Sequence, residues 1–241
     1  MADTPPVLSV VIPVYNEVGT FDELLRRVRA VPVAKQIIIV DDGSTDGTRA
    51  LLERIPEEPD VRVLFHDRNR GKGAALRTGF SVATGDIVIV QDADLEYDPQ
   101  EYLKILPLIR EGTADVVYGV RFRPPHRTTY RWALFVNTVL TRFSNAFTGL
   151  GLSDEATCYK VFRREILQQI ELKERRFGFD PEFTAQIAGL PVRVAEVAVS
   201  YSRRSYSEGK KIGLRDGFRA LWCMFRYAPP ARNRRARRVS V

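Results

Sequence analysis

Cysteine and histidine are scarce, with two of each in 241 residues. Cys158, Cys223, His66 and His126 form no zinc-ligand spacing, and both cysteines sit inside mixed apolar segments. A reduced, cytoplasmic setting is expected. Long apolar runs are missing too. The nearest candidates, Trp132 to Leu140 and Ala220 to Phe225, are bounded by arginines and fall short of the roughly 20 residues that cross a bilayer. The opening Met1-Ala2-Asp3-Thr4-Pro5-Pro6 has neither the basic flank nor the cleavage pattern of a signal peptide. No low-complexity block occurs, and a 44% hydrophobic content suffices for one large core. The expected organisation is a single domain over residues 1–227 and a basic tail over 228–241.

The net charge of +7 is unevenly spread. Arg121 to Arg131 and the run Arg232-Asn233-Arg234-Arg235-Ala236-Arg237-Arg238 are basic clusters with few acids nearby. Such clusters attract phosphate, whether on a lipid headgroup, a substrate or a nucleic acid. For the terminal run, a solvated end and a membrane contact are both open.

Apolar runs rich in β-branched residues alternate with helical patterns through the first half. Val7 to Ile12, Gln36 to Val40, Val61 to Phe65, Asp86 to Val90 and Ala114 to Tyr118 read as strands. Gly19 to Ala30, Asp46 to Ile55, Lys72 to Ala83 and Pro99 to Arg110 read as helices, with Asp46 as an N-cap and Pro99 in a first turn. This alternation predicts an α/β fold with a mostly parallel sheet and helices on both faces. Later, Thr129 to Thr148 places Trp132, Phe135, Val139, Phe143 and Phe147 on one stripe, and Gly213 to Tyr227 forms a last amphipathic helix. Each stripe either packs inward or lies on a membrane.

In open parallel sheets ligands bind beyond the carboxyl ends of the strands. There the chain carries Asn16-Glu17, then Asp41-Asp42-Gly43-Ser44, then Asp92-Ala93-Asp94. Crowded carboxylates repel, so a cation or hydrogen-bond donors must join them. In an extended segment Asp92 and Asp94 point to the same side, which suits a hard divalent cation whose shell substrate phosphates complete. Asp41 and Asp42 suit hydrogen bonds from a base and a ribose. The segment Asn69-Arg70-Gly71-Lys72-Gly73 lacks the order of a P-loop. Either it is a glycine-bearing helix start, or it brings Lys72 and helix N-terminal amides to a diphosphate.

Taken together, Val14-Tyr15-Asn16-Glu17, Asp41-Asp42-Gly43-Ser44, Asn69-x-Gly71-Lys72-Gly73 and Asp92-Ala93-Asp94-Leu95 resemble the family 2 glycosyltransferases, in particular the dolichol-phosphate mannose synthase-like branch. The similarity continues through Asp154 to Lys160, Phe179-Asp180-Pro181-Glu182 and Tyr201 to Lys211. The resemblance implies a GT-A fold. It also implies a nucleotide-diphosphate sugar, GDP-mannose or a UDP-hexose, held by Pro13, Tyr15, Glu17, Asp41 and Asp42 with Lys72, Asp92 and Ala93. Mg or Mn would be held at Asp92 and Asp94. The implied acceptor is a polyprenyl phosphate, its phosphate bound by Arg204 and Lys210. Where the family has glycine and serine, this chain has Ser207 and Gly209, which leaves Arg203 and Lys211 as substitutes.

The expected chemistry is an inverting transfer through an oxocarbenium-like transition state, with Asp92, Asp94, Asp154 and Arg204 as the catalytic set. A lipid phosphate is already ionised and requires no strong base. A glycan or small-molecule hydroxyl acceptor is the alternative and would require one, from Asp154 or Glu182. Peripheral attachment at the inner face of the membrane is expected through the two late helices and the arginine tail. No aromatic platform for RNA occurs in the strands, and no nucleic-acid partner is expected.

Overall fold

The computed structural model describes residues 8–121, 131–202 and 214–240; the side chains of 131–133 and 214–216 are not described. The first half builds β1 (Leu8–Val14), α1 (Phe21–Ala30), β2 (Lys35–Asp41), α2 (Thr48–Leu52), β3 (Val61–Phe65), α3 (Lys72–Phe80) and β4 (Ile87–Val90). Then follow α4 (Tyr102–Arg110), β5 (Val116–Val120), α5 (Arg131–Thr148), β6 (Lys160–Arg163), α6 (Phe179–Ile187), β7 (Arg193–Ala198), α7 (Leu214–Tyr227) and β8 (Arg237–Arg238).

The strands form one eight-stranded sheet in the order β3-β2-β1-β4-β6-β5-β7-β8. All its pairings are parallel except those of β6, which runs antiparallel to both β4 and β5. The runs Ile37 to Val40 and Ile87 to Val90 are buried throughout, as strands covered on both faces must be. Helix α1 buries Phe21, Leu24, Leu25 and Val28, a spacing that repeats with the helical turn, against this sheet. Because β1 pairs with β2 on one side and β4 on the other, the chain reverses direction across the sheet at β1. That reversal opens a crevice at the strand ends.

Three expectations shift. The second helix is shorter than Asp46 to Ile55, and Gly47 is its N-cap; Asp46 still does a cap's work, its Oδ1 accepting from the Thr48 amide at 3.0 Å. The arginine run does not simply extend into solvent. Its backbone adds to the sheet edge, with Arg237 N donating to Val192 O at 2.9 Å and Val239 N to Val194 O at 2.8 Å. Helix α5 packs with its polar stripe inward: Asn137, Thr141, Ser144 and Thr148 are buried while Phe135, Val139 and Phe143 are exposed.

Candidate active site

A cavity of about 500 Å3 lies at the carboxyl edge of β1, β2 and β4. Its wall carries six carboxylates, Glu17, Asp42, Asp92, Asp94, Glu96 and Asp180, and three cations, Lys72, Arg121 and Arg176. The loops after β1, β2 and β4 thus deliver their acids to one place.

The loop after β4 is a turn, not the extended segment expected, with Leu95 at φ 60°. A left-handed leucine costs on the order of 1–3 kcal/mol and persists only where the surroundings enforce it. Here they do. The Gln91 amide donates to Asp92 O at 2.9 Å, and its Oε1 accepts from the hydroxyls of Tyr102 and Tyr159, both at 2.7 Å. The single Thr20 hydroxyl proton is shared between Ala93 O at 2.9 Å and Glu17 Oε2 at 2.8 Å, tying the β1 and β4 loops together. Asp94 Oδ1 accepts from the Glu96 amide at 3.1 Å, and both residues line the cavity.

Lys72 reaches the cavity and meets Asp92 through both oxygens, at 2.7 and 2.8 Å. Burial alone would push Asp92 up, but the Lys72 charge holds it below the usual carboxylate range; the same pairing lifts Lys72 well above its own, against desolvation. Cys158 is buried beside them, accepting from Asp92 N at 3.2 Å, and burial drives its thiol well up, so it stays neutral.

The glycines before Lys72 serve an approach of chain to chain. Gly71 has φ 93°, and a methyl at either Gly71 or Gly73 would drive into the backbone of Arg175 or Glu174. The Ala74 amide donates to Arg175 O at 3.0 Å and the Ala75 amide to Gly71 O at 3.1 Å. Those two amides are therefore spent inside the protein and do not reach out to a diphosphate.

Asp42 lines the cavity with its carboxylate anchored: Oδ1 accepts from His66 Nδ1 at 2.7 Å and Arg70 N at 2.9 Å, and Oδ2 from Gly71 N at 2.7 Å. Asp41 does not line it. Fully buried, it turns the chain by accepting the Ser44 amide at 3.1 Å. Pro13, Tyr15, Glu17 and Ala93 are on the wall as expected.

Neither base candidate is on the wall. Asp154 is fully buried behind Arg121, whose Nη2 and Nε it binds at 2.7 and 2.8 Å, with Asn137 Nδ2 at 3.1 Å. Burial opposes its ionisation, yet the Arg121 charge and hydrogen bonds hold its carboxyl below the usual range. Its contact with the cavity is through Arg121. Glu182 is buried and accepts the amides of Lys173 at 2.8 Å and Glu174 at 2.9 Å, bracing the loop packed on Gly71 and Gly73. Arg203, Arg204, Lys210 and Lys211 lie outside the described residues, as does most of the Arg121 to Arg131 cluster.

Sequence reasoning gave no role to Glu96, Arg176, Phe177, Asp180 or Tyr201, all on the wall. Glu96 was signalled by its two-residue spacing from Asp94; it accepts from the Tyr201 hydroxyl at 2.7 Å. The others come from segments distant in the chain.

A family model, "Glycosyl transferase family 2", matches residues 9–171. The undecaprenyl-phosphate 4-deoxy-4-formamido-L-arabinose transferase of Pseudomonas aeruginosa (strain LESB58) is 32% identical over 216 residues, 87% of this chain and 61% of that protein. The transferase of the same description from Salmonella paratyphi A is 31% identical over 218 residues, 87% of this chain and 64% of that protein. The chain thus spans under two thirds of their length. Among solved structures, mannosyl-3-phosphoglycerate synthase from Rubrobacter xylanophilus superposes with a TM-score of 0.70 at 21% identity, covering 92% of this chain and 72% of that one. Glucosyl-3-phosphoglycerate synthase from Mycobacterium tuberculosis, in complex with Mn2+, UDP and glucosyl-3-phosphoglycerate, gives 0.67 at 18% identity, covering 94% and 82%. At such identities the likeness speaks for the fold, which is GT-A.

Proposed function

The chain belongs to glycosyl transferase family 2, and we propose that it transfers a hexose, with inversion, from a nucleoside diphosphate sugar to a polyprenyl phosphate. The observation that carries this reading is the meeting of Glu17, Asp42, Asp92 and Asp94, from three strand ends, with Lys72 in one cavity. The relatives named for undecaprenyl-phosphate transfer support the acceptor.

A cavity wall with more carboxylates than cations receives a diphosphate only if positive charge accompanies it. Among the described residues no group of three or more acids, histidines or cysteines could hold a metal. Asp92 and Asp94, two hard oxygen donors on one loop of the wall, would hold a Mg or Mn ion together with diphosphate oxygens. When bound, the ion offsets the charge growing on the leaving diphosphate. The chain's own share is distinct. Asp42 and Glu17 hold the nucleoside side, and Lys72 orients Asp92 while adding charge near the diphosphate. Arg121, fixed by Asp154, turns a guanidinium to the cavity, where an anionic acceptor gains from it. A phosphate oxygen then displaces the diphosphate at the anomeric carbon. It is already ionised and requires no base, whereas a hydroxyl acceptor would; of the two base candidates read from the sequence, neither Asp154 nor Glu182 is on the wall.

The outward apolar faces of α5 and α7 support work at a lipid surface. Phe218, Trp222 and Phe225 are 75%, 51% and 62% exposed. Phe225 packs edge-on against Phe147, joining the two helices' aromatic faces. Arg142 and Arg226 flank the patch, and Arg234 from the tail bonds to Ala146 O at 3.2 Å at its end. Aromatics bordered by arginines suit an anionic bilayer. Among the described residues no helix is long and apolar enough to cross one. The function is tested by incubating radiolabelled UDP- and GDP-sugars with undecaprenyl phosphate and MnCl2. Label entering the organic phase supports it; label on a soluble hydroxyl acceptor alone contradicts it. Trp222→Ser with Phe225→Ser should reduce co-sedimentation with phosphatidylglycerol vesicles several-fold, and unchanged sedimentation contradicts the lipid surface.

A further inference from the structure

We propose that Asp180 reads the hydroxyl groups of the transferred sugar, an assignment that rests on the nucleotide-sugar reading above. The segment Phe179-Asp180-Pro181-Glu182 stood out in the sequence, and its two acids part ways in the fold. Glu182 is consumed by bracing Lys173 and Glu174. Asp180 is on the cavity wall, in the first turn of α6.

Beneath Asp180 lies Lys160, fully buried, its ammonium donating to Glu155 O at 3.1 Å, Thr157 O at 2.6 Å and Asp180 Oδ1 at 2.5 Å. All three of its donors are thereby used. A buried ion pair contributes little net stability, because desolvating two charges offsets most of their attraction; apolar residues of similar volume often do as well. What this pair supplies is position. It clamps one oxygen of a carboxylate and leaves the other for a ligand: among the described residues Oδ2 has no hydrogen-bond partner.

The neighbours say which part of the ligand arrives there. Asp180 shares the cavity with Lys72, the residue assigned above to the diphosphate. Ala156, Cys158 and Phe177 line the same cavity, whose volume of about 500 Å3 admits a sugar ring beside a diphosphate. An ionised carboxylate accepts hydrogen bonds only and repels phosphate, so the group it receives beside a diphosphate is a hydroxyl donor. In a nucleoside diphosphate sugar that group is the sugar.

The test is calorimetric titration of UDP, UDP-glucose, GDP and GDP-mannose, with MnCl2, into the wild-type chain and Asp180→Asn. For whichever base binds, the diphosphate alone should bind the variant within about twofold of wild type, whereas the sugar nucleotide should lose about tenfold, as one charge-assisted hydrogen bond is worth. Should Asp180→Asn fail to fold once Lys160 has no counter-charge, Asp180→Glu keeps that charge but moves the oxygens by a methylene, and the same selective loss is expected. Equal losses for diphosphate and sugar nucleotide, or no loss for either, overturn the assignment. A wild-type chain that binds neither nucleotide overturns the donor reading, and this one with it.

Discussion

Replacing Gly73 by alanine probes the contact that joins the Lys72 helix to the far wall of the cavity. The added methyl would press into Glu174 O and stand 3.1 Å from Arg176 O. Relief requires the 174–176 backbone to move. That backbone is held: Arg77 donates to Glu174 O, and the Glu174 carboxylate accepts from Arg219 Nη2 at 2.7 Å and the Tyr227 hydroxyl at 3.0 Å. Overpacking of this kind costs about 1–3 kcal/mol, and so tethered a loop argues for about 2–3. With a urea slope of about 2–3 kcal/mol per molar, the unfolding midpoint should fall by about 1 M. Because Arg176 and Phe177 continue from that loop onto the wall, diphosphate affinity should drop as well. Gly217→Ala is the control. Nothing lies within 4 Å of a methyl there, and in a helix interior it should stabilise by about 0.5–1 kcal/mol. A Gly73→Ala chain within about 0.5 kcal/mol of wild type, binding diphosphate unchanged, would refute the packing argument.

Two further predictions concern buried acids. Burial pushes Glu155 up to about 7, with Lys160 opposing, so between the unfolded value near 4.5 and that figure the native state holds the extra proton. Stability from this group is full below pH 4.5 and is lost as pH rises to about 7, on the order of 3 kcal/mol in all. Glu155→Gln should therefore be worth little at pH 4.5 and gain on wild type up to pH 7, measured by denaturation; a constant difference contradicts this. Asp154 has the opposite sign. Held low by Arg121, it contributes stability above about pH 4 that is lost as pH falls through its depressed value. Asp154→Ala, which strands a mostly buried guanidinium, should cost about 3–5 kcal/mol at pH 7. A loss under 1 kcal/mol would show that the pair is not the anchor described.

The sheet's first five strands were legible because parallel strands buried on both faces are unbroken apolar runs, Ile37 to Val40 being one. β6 escaped notice because Lys-Val-Phe-Arg is too short and too charged to read as core. Its first residue is buried because the Lys160 ammonium pairs with Asp180, twenty positions away, and donates to the carbonyls of Glu155 and Thr157. β8 is two arginines that join the sheet edge through their backbone and the Arg238–Glu196 ion pair, and no apolar pattern announces that. In the site, the strand-end acids were legible one by one. Their partners were not: Arg121 meets Asp154 across 33 positions and Asp42 meets His66 across 24, pairings that only the fold creates. Asp41 and Asp42 look alike in sequence, and register alone sends one inward and the other to the cavity.

The central claim is that acids from separate strands assemble one diphosphate site with a divalent ion. It is tested by titrating UDP and GDP into the wild-type chain, Asp42→Ala and Asp94→Ala, with MnCl2 and with EDTA. One nucleotide should bind the wild type tightly with Mn2+ and at least tenfold more weakly with EDTA. Asp94→Ala should lose that metal dependence, while Asp42→Ala should weaken binding under both conditions. Binding of neither nucleotide, or equal binding by all three chains with and without metal, contradicts the account.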